Sequence, residues 1–254
     1  MYRLLVIAVG GLLSVLPAAS RAAADLAPAA ACPAVGAAAM GAVRPLDALA
    51  AAIKAGGKVD VLAVGSATTV GQDGNAAGVS FPYHMIEALH AALPKVDFEL
   101  TVKGARGMTA QDMLPVLDAA VAAHSYPLVL WQTGTVEAVR ALRPDGMHAA
   151  LAAGVAHVRA RGGDTVLIDP NYSRALRANT EIDPYMQVLR QVADMPGVVL
   201  FPRYDVTRAW VDKAALDVEK APKADRVAAI DELHRCVGEA LAAFVLSGLH
   251  AAGP

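Results

Sequence analysis

KVDVLAVGSATTVGQDG, Lys58 to Gly74, decides how the chain is read. It opens as an apolar run, Val59, Val61, Leu62, Ala63 and Val64, then breaks at Gly65 and delivers Ser66, Ala67, Thr68 and Thr69. A strand that stops on Gly-Ser holds a hydroxyl at the carboxyl end of a sheet, the edge where open α/β sheets carry ligands and chemistry. Ser66 is therefore a candidate nucleophile. A serine hydroxyl is weak until a base takes its proton, so the rest of the chain must supply that base and the oxyanion donors.

On either side the pattern alternates between helix and strand. Leu46, Leu49 and Ile53 at helical spacing predict a helix over 44–55, with Pro45 at its start and Gly56-Gly57 at its end. Further strands are expected at 96–102, 128–131, 165–168 and 198–201, after a first at 59–64. Helices are expected at 81–93, 109–124 (capped by Thr109), 144–160 and 181–193. A terminal helical region over 224–249 is expected to break near Asp231. Five short apolar strands alternating with helices imply an α/β fold: a three-layer α/β/α sandwich around a five-stranded parallel sheet. No repeat, linker or composition shift divides residues 44–254, which read as one domain.

The start of the chain has another character. Met1-Tyr2-Arg3 is basic, Leu4 to Leu16 is apolar, and Pro17 to Ala24 is rich in small residues. That order reads as a signal peptide over 1–24, too short in its apolar part for a comfortable membrane span, with an uncleaved N-terminal anchor as the alternative. Residues 25–43, rich in Ala, Pro and Gly, read as an extended arm. Export implies a periplasmic or secreted protein with no stable membrane span after cleavage. Two cysteines follow the leader, Cys32 and Cys236. An even count in an oxidising compartment favours a disulfide, with two separate buried thiols as the alternative. By the chain-entropy model, so long a loop contributes on the order of 4–5 kcal/mol.

The net charge of −2 and the lack of a basic stripe with interleaved aromatics exclude nucleic acid as a partner. Gly65 to Gly71 has the wrong spacing for a phosphate loop, and no dinucleotide fingerprint is present. His84 and Glu87 share a helix face, but His90 lies six residues on, so no metal site is expected. No cofactor is expected either.

Three other segments bear on Ser66. Asp231-Glu232-Leu233-His234 spaces a carboxylate and an imidazole by three, which a local turn can bring to one side. Gly104-Ala105-Arg106-Gly107 follows the second strand, and its glycines allow close backbone approach to an oxyanion. Thr133 to Glu137 follows the third.

Together these segments resemble the four blocks of the SGNH hydrolases, the GDSL-type esterases and lipases. Gly65-Ser66-Ala67-Thr68-Thr69 is similar to the first block, with Gly65 where the family usually has Asp. Lys103 to Ala110 is similar to the second, with Gly107 as the oxyanion-hole glycine, and Asp231 to His234 matches the D-x-x-H. The resemblance implies a flavodoxin-like strand order and a triad of Ser66 (nucleophile), His234 (base) and Asp231 (orienter). It places the backbone N–H groups of Ser66 and Gly107 in the oxyanion hole. It implies small acyl or acetyl esters, or an acylated glycan or lipid, as substrates, for hydrolysis or acyl transfer. The third block departs from the family's G-x-N-D: it reads Gly134-Thr135-Val136-Glu137, and valine cannot donate. Thr133, Thr135 and Asn171 are candidate substitute donors. A slow enzyme, a repositioned oxyanion hole and a retired one stay open, and with the last a non-catalytic binding or assembly protein on the same fold.

Overall fold

The computed structural model describes residues 31–41, 43–71 and 80–252. The leader expected over 1–24 and the start of the arm lie outside the described residues. A helical turn α1 (Ala37–Met40) interrupts the arm that was expected to be extended, and α2 (Asp47–Ala55) leads into β1 (Lys58–Gly65). There follow α3 (Ala67–Val70), α4 (Phe81–Ala92), β2 (Asp97–Gly104), α5 (Ala110–Ala123) and β3 (Leu128–Gln132). The second half runs α6 (Thr135–Val139), α7 (Pro144–Ala160), β4 (Asp164–Ile168), α8 (Arg174–Asn179), α9 (Asp183–Ala193), β5 (Val198–Phe201), α10 (Arg203–Asp212) and α11 (Arg226–Ala251).

The five strands pair in parallel in the order β2-β1-β3-β4-β5. Every residue of β3 and β4 is buried, as both faces of the sheet are covered. Side chains of a strand alternate between faces, and the core divides accordingly. Val61, Ala63, Leu130, Val166 and Phe201 pack with Leu49, Met85, Leu241 and Phe244 of α2, α4 and α11. Leu62, Val64, Val129, Trp131 and Leu167 pack with Met113, Leu151 and Leu189 of α5, α7 and α9.

Two close approaches position the working edge. Gly65 and Gly104 are partners at the carboxyl ends of β1 and β2. Gly104 has φ +120°, and a Cβ there would sit 2.0 Å from the Gly65 carbonyl oxygen, so only glycine fits. Gly238 lets α11 lie close to α4, where a Cβ would come within 2.5 Å of His84 Cβ.

The terminal helix is not interrupted. The break expected near Asp231 is absent because α11 runs through it from Arg226, with no proline or glycine before Gly238. Cys32 and Cys236 form a disulfide that ties the arm to α11 across 204 residues of chain. Thr109 caps α5 as expected: its Oγ accepts from the Asp112 N–H, and Asp112 Oδ2 accepts the Thr109 N–H at 2.9 Å.

Candidate active site

Residues that follow the strands meet at the carboxyl edge of the sheet. Ser66 follows β1 as the N-cap of α3, in extended conformation, and its hydroxyl makes no bond to its own helix. Instead Ser66 Oγ accepts the Gly107 N–H at 2.9 Å. Gly107 can present that N–H because its φ is +81°, a conformation that L side chains rarely adopt. Ser66 is 8% exposed and lines a cavity of about 530 Å³ with Gly107, Gln132, Thr135 and Val136.

Gln132, the last residue of β3, organises the turn beneath Ser66. Its Oε1 accepts the Ser66 N–H at 3.3 Å and lies 3.3 and 3.2 Å from the hydroxyls of Thr68 and Thr69. A backbone N–H can only donate, so the atom facing it must be the carbonyl oxygen. The amide nitrogen is left for other partners, on a residue that lines the cavity.

The substitute donors expected from sequence fare unequally. Thr133 is buried and gives its hydroxyl hydrogen to Glu137 Oε1 at 2.9 Å. Glu137 also accepts the N–H groups of Gly134 and Ala110, so it knits the β3–α6 turn to the start of α5. Asn171 donates to the Tyr172 carbonyl at 3.0 Å, while Thr135 lines the cavity beside Val136.

His234 and Asp231 line an adjoining cavity of about 460 Å³, which shares Thr68, Arg106, Asn171 and Arg203 with the Ser66 cavity. The ring of His234 lies 6.5 Å from that of Phe81. Burial first, then the nearby Arg203, pushes its imidazole down to about 4. Its Nδ1 is buried without a hydrogen-bond partner among the described residues. The bond from Asp231 to His234 expected from their spacing is therefore not made. Both lie on continuous α-helix, and Asp231 is exposed while the Nδ1 is buried. No hydrogen bond links Ser66 to His234 among the described residues.

Arg203, missed from sequence, is the first residue of α10, two residues past the end of β5. It is 2% exposed, donates from Nε to the Asp169 carbonyl at 2.9 Å and from Nη1 to Thr68 Oγ at 3.3 Å, and stacks over Phe81. Burial lowers it to about 10. Asp169, directly after β4, is fully buried. Its Oδ1 accepts the Tyr204 N–H, its Oδ2 has no partner among the described residues, and burial raises it to about 7 despite Arg203. Among the described residues, one trio of His, Cys, Asp or Glu is close enough to share a metal ion. It is Cys32, Glu232 and Cys236, whose sulfurs are already joined to each other.

Residues 31–251 match the model of the non-GDSL lipase-like family. The chain belongs to that family. The match covers both the Ser66 edge and α11, and it places the chain in a family of esterase- or lipase-like hydrolases. No curated protein matches the chain. Solved structures similar to this member of the family include LAE5, an α/β hydrolase from the metagenome of Lake Arreo, Spain. It is 19% identical, with a TM-score of 0.60 over 77% of this chain and 97% of its own. Axe2, an acetylxylan esterase from Geobacillus stearothermophilus, is 18% identical with a TM-score of 0.59, over 74% and 94%. TesA is 20% identical with a TM-score of 0.54, over 73% and 99%. At such identities the likeness is one of fold.

Proposed function

We propose that this hydrolase is an exported serine esterase acting on acyl or acetyl esters. The observation that carries the reading is the contact between Ser66 Oγ and the Gly107 N–H: a serine spared from helix capping, held by a backbone donor beside an open cavity. Ser66 Oγ attacks the ester carbonyl and its proton passes to His234, which burial keeps neutral and so able to act as a base. The alcohol leaves with that proton, and water then hydrolyses the acyl enzyme. Ser66 and His234 line adjoining cavities, so the proton transfer requires the two to approach when substrate binds. Asp231 then serves as a charge near the imidazole rather than as its hydrogen-bonded orienter.

Gly107 N–H and the Gln132 amide are the oxyanion donors in this reading, with Gln132 taking the role that Val136 cannot fill. The Ser66 N–H is engaged by Gln132 in the resting state and joins only if that bond opens. Acetylated or acylated glycan or lipid is the substrate class that the reading favours, and the Cys32–Cys236 disulfide supports an oxidising compartment.

A fluorophosphonate probe tests this directly. An adduct on Ser66, with kcat/KM on 4-nitrophenyl acetate lost in Ser66→Ala, is expected. The engaged Ser66 N–H, and the absence among the described residues of a hydrogen bond between Ser66 and His234, favour a second reading, a binding or assembly protein. Equal background rates for wild type and Ser66→Ala would select it.

A further inference from the structure

The cavity around Ser66 carries a charge pattern unlike the chain as a whole. The protein has a net charge of −2. Yet among its described residues the cavity is lined by three arginines, Arg106, Arg140 and Arg203, and by no carboxylate. None of the three makes an ion pair within 4.0 Å among the described residues, whereas Arg143, Arg174 and Arg177 all do. Arg203 forms part of the wall between the two cavities and is nearly sealed from solvent, while Arg106 and Arg140 are exposed.

The guanidinium groups also flank the reacting serine. On one side the path runs from the Ser66 N–H through Gln132 Oε1 to Thr68 Oγ and on to Arg203 Nη1, each step 3.3 Å. On the other, Gly107 holds Ser66 Oγ, and Arg140 Nη2 lies 3.3 Å from where a Gly107 side chain would begin. Cations gathered in a low-dielectric cleft focus its field and concentrate anions there. The planar guanidinium suits carboxylate and phosphate oxygens in particular.

We infer that the Ser66 cavity selects esters bearing an anionic group, a carboxylate or a phosphate, on the acyl or the alcohol side of the scissile bond. This rests on the esterase reading above and narrows it to a substrate class.

Two pairs of probes test it. For the acyl side, mono-4-nitrophenyl glutarate is compared with its neutral methyl ester. For the alcohol side, 4-acetoxybenzoate is compared with methyl 4-acetoxybenzoate. The anionic member of at least one pair should have a kcat/KM higher by about ten-fold or more at low salt, and that lead should shrink as ionic strength rises. Arg140→Gln and Arg106→Gln should each reduce it, while Arg143→Gln, whose guanidinium pairs with Asp145, should not. No preference in either pair, or the same preference in Arg140→Gln and Arg106→Gln as in wild type, overturns the inference. If none of the four esters is turned over, the esterase reading fails and calorimetry decides the charge reading alone. Monomethyl glutarate binding more tightly than dimethyl glutarate, with the difference lost in Arg140→Gln, upholds it; equal binding refutes it.

Discussion

The Gly107 N–H points at Ser66 Oγ from 2.9 Å, across the gap between the ends of β1 and β2. The contact depends on a left-handed backbone at Gly107. Gly107→Ala puts a side chain where φ is +81° and where Arg140 Nη2 stands 3.3 Å away. We expect kcat on a small acetyl ester to fall by about 10-fold to 100-fold with a smaller change in KM, since the lost stabilisation belongs to the transition state. A rate within two-fold of wild type, roughly the scatter of such assays, removes Gly107 from the oxyanion hole.

Gln132 acts on both the fold and the rate. Gln132→Leu leaves the Ser66 N–H and two threonine hydroxyls without their acceptor, which costs about 1–3 kcal/mol of stability by urea unfolding. It also removes the amide donor, for which a loss of about 10²–10³ in kcat is expected. Gln132→Glu keeps the acceptor and lacks the donor. It should keep the Ser66 N–H paired and still lose the rate; full activity in Gln132→Glu assigns the donor elsewhere.

The pH profile reports on His234. With its imidazole held at about 4, the folded protein keeps a neutral base well into the acid range. kcat/KM should show no inflection between about pH 5 and 8 and should fall as pH drops through about 4. The unfolded chain takes up the same proton near 6.5, so acid also favours unfolding progressively from about pH 6.5 down to 4. A free-enzyme inflection near pH 6.5 that disappears in His234→Gln contradicts the buried, unpartnered imidazole.

Asp169 works in the opposite sense. Burial raises its carboxyl from 3.8 to about 7, so between those values the folded state holds a proton that the unfolded chain has released. Its contribution to stability is complete below about pH 4 and is lost as pH rises through 7. Asp169→Asn, which resembles the protonated form in shape, should flatten the decline in unfolding free energy between pH 4 and 8. An unchanged slope places the ionised carboxylate in the folded protein at neutral pH.

The parallel strands were legible because burial on both faces leaves apolar runs with sharp ends: β5 and α7 fall at their expected bounds. The strand order, taken from the resemblance, agrees with the observed β2-β1-β3-β4-β5. Ser66 and Gly107 were legible for a related reason, since each follows a strand that breaks on glycine. Gln132 was not, because it prolongs β3 by one residue past the apolar run and carries no motif. Arg203 was hidden at the start of α10, a helix rich in charged residues, where an arginine ordinarily reads as a solvated surface. Only its place just past the carboxyl end of β5, one residue further on than Ser66 lies after β1, hinted at a role. The Asp231 and His234 spacing suggested a turn, but an unbroken run of helix formers keeps both on α11.

The contact between Gly65 and Thr69 bears on sequences other than this one. A Cβ at position 65 would lie 2.1 Å from the Thr69 hydroxyl and 2.6 Å from its Cβ, both inside any permitted separation. The aspartate usual before the serine in the GDSL-type enzymes is thus excluded here by a side chain four residues downstream. The two positions are then expected to covary across the family: a threonine at the second should accompany glycine at the first, and an aspartate at the first should accompany a smaller residue or a displaced turn at the second. Installing aspartate at 65 is accordingly a two-site substitution.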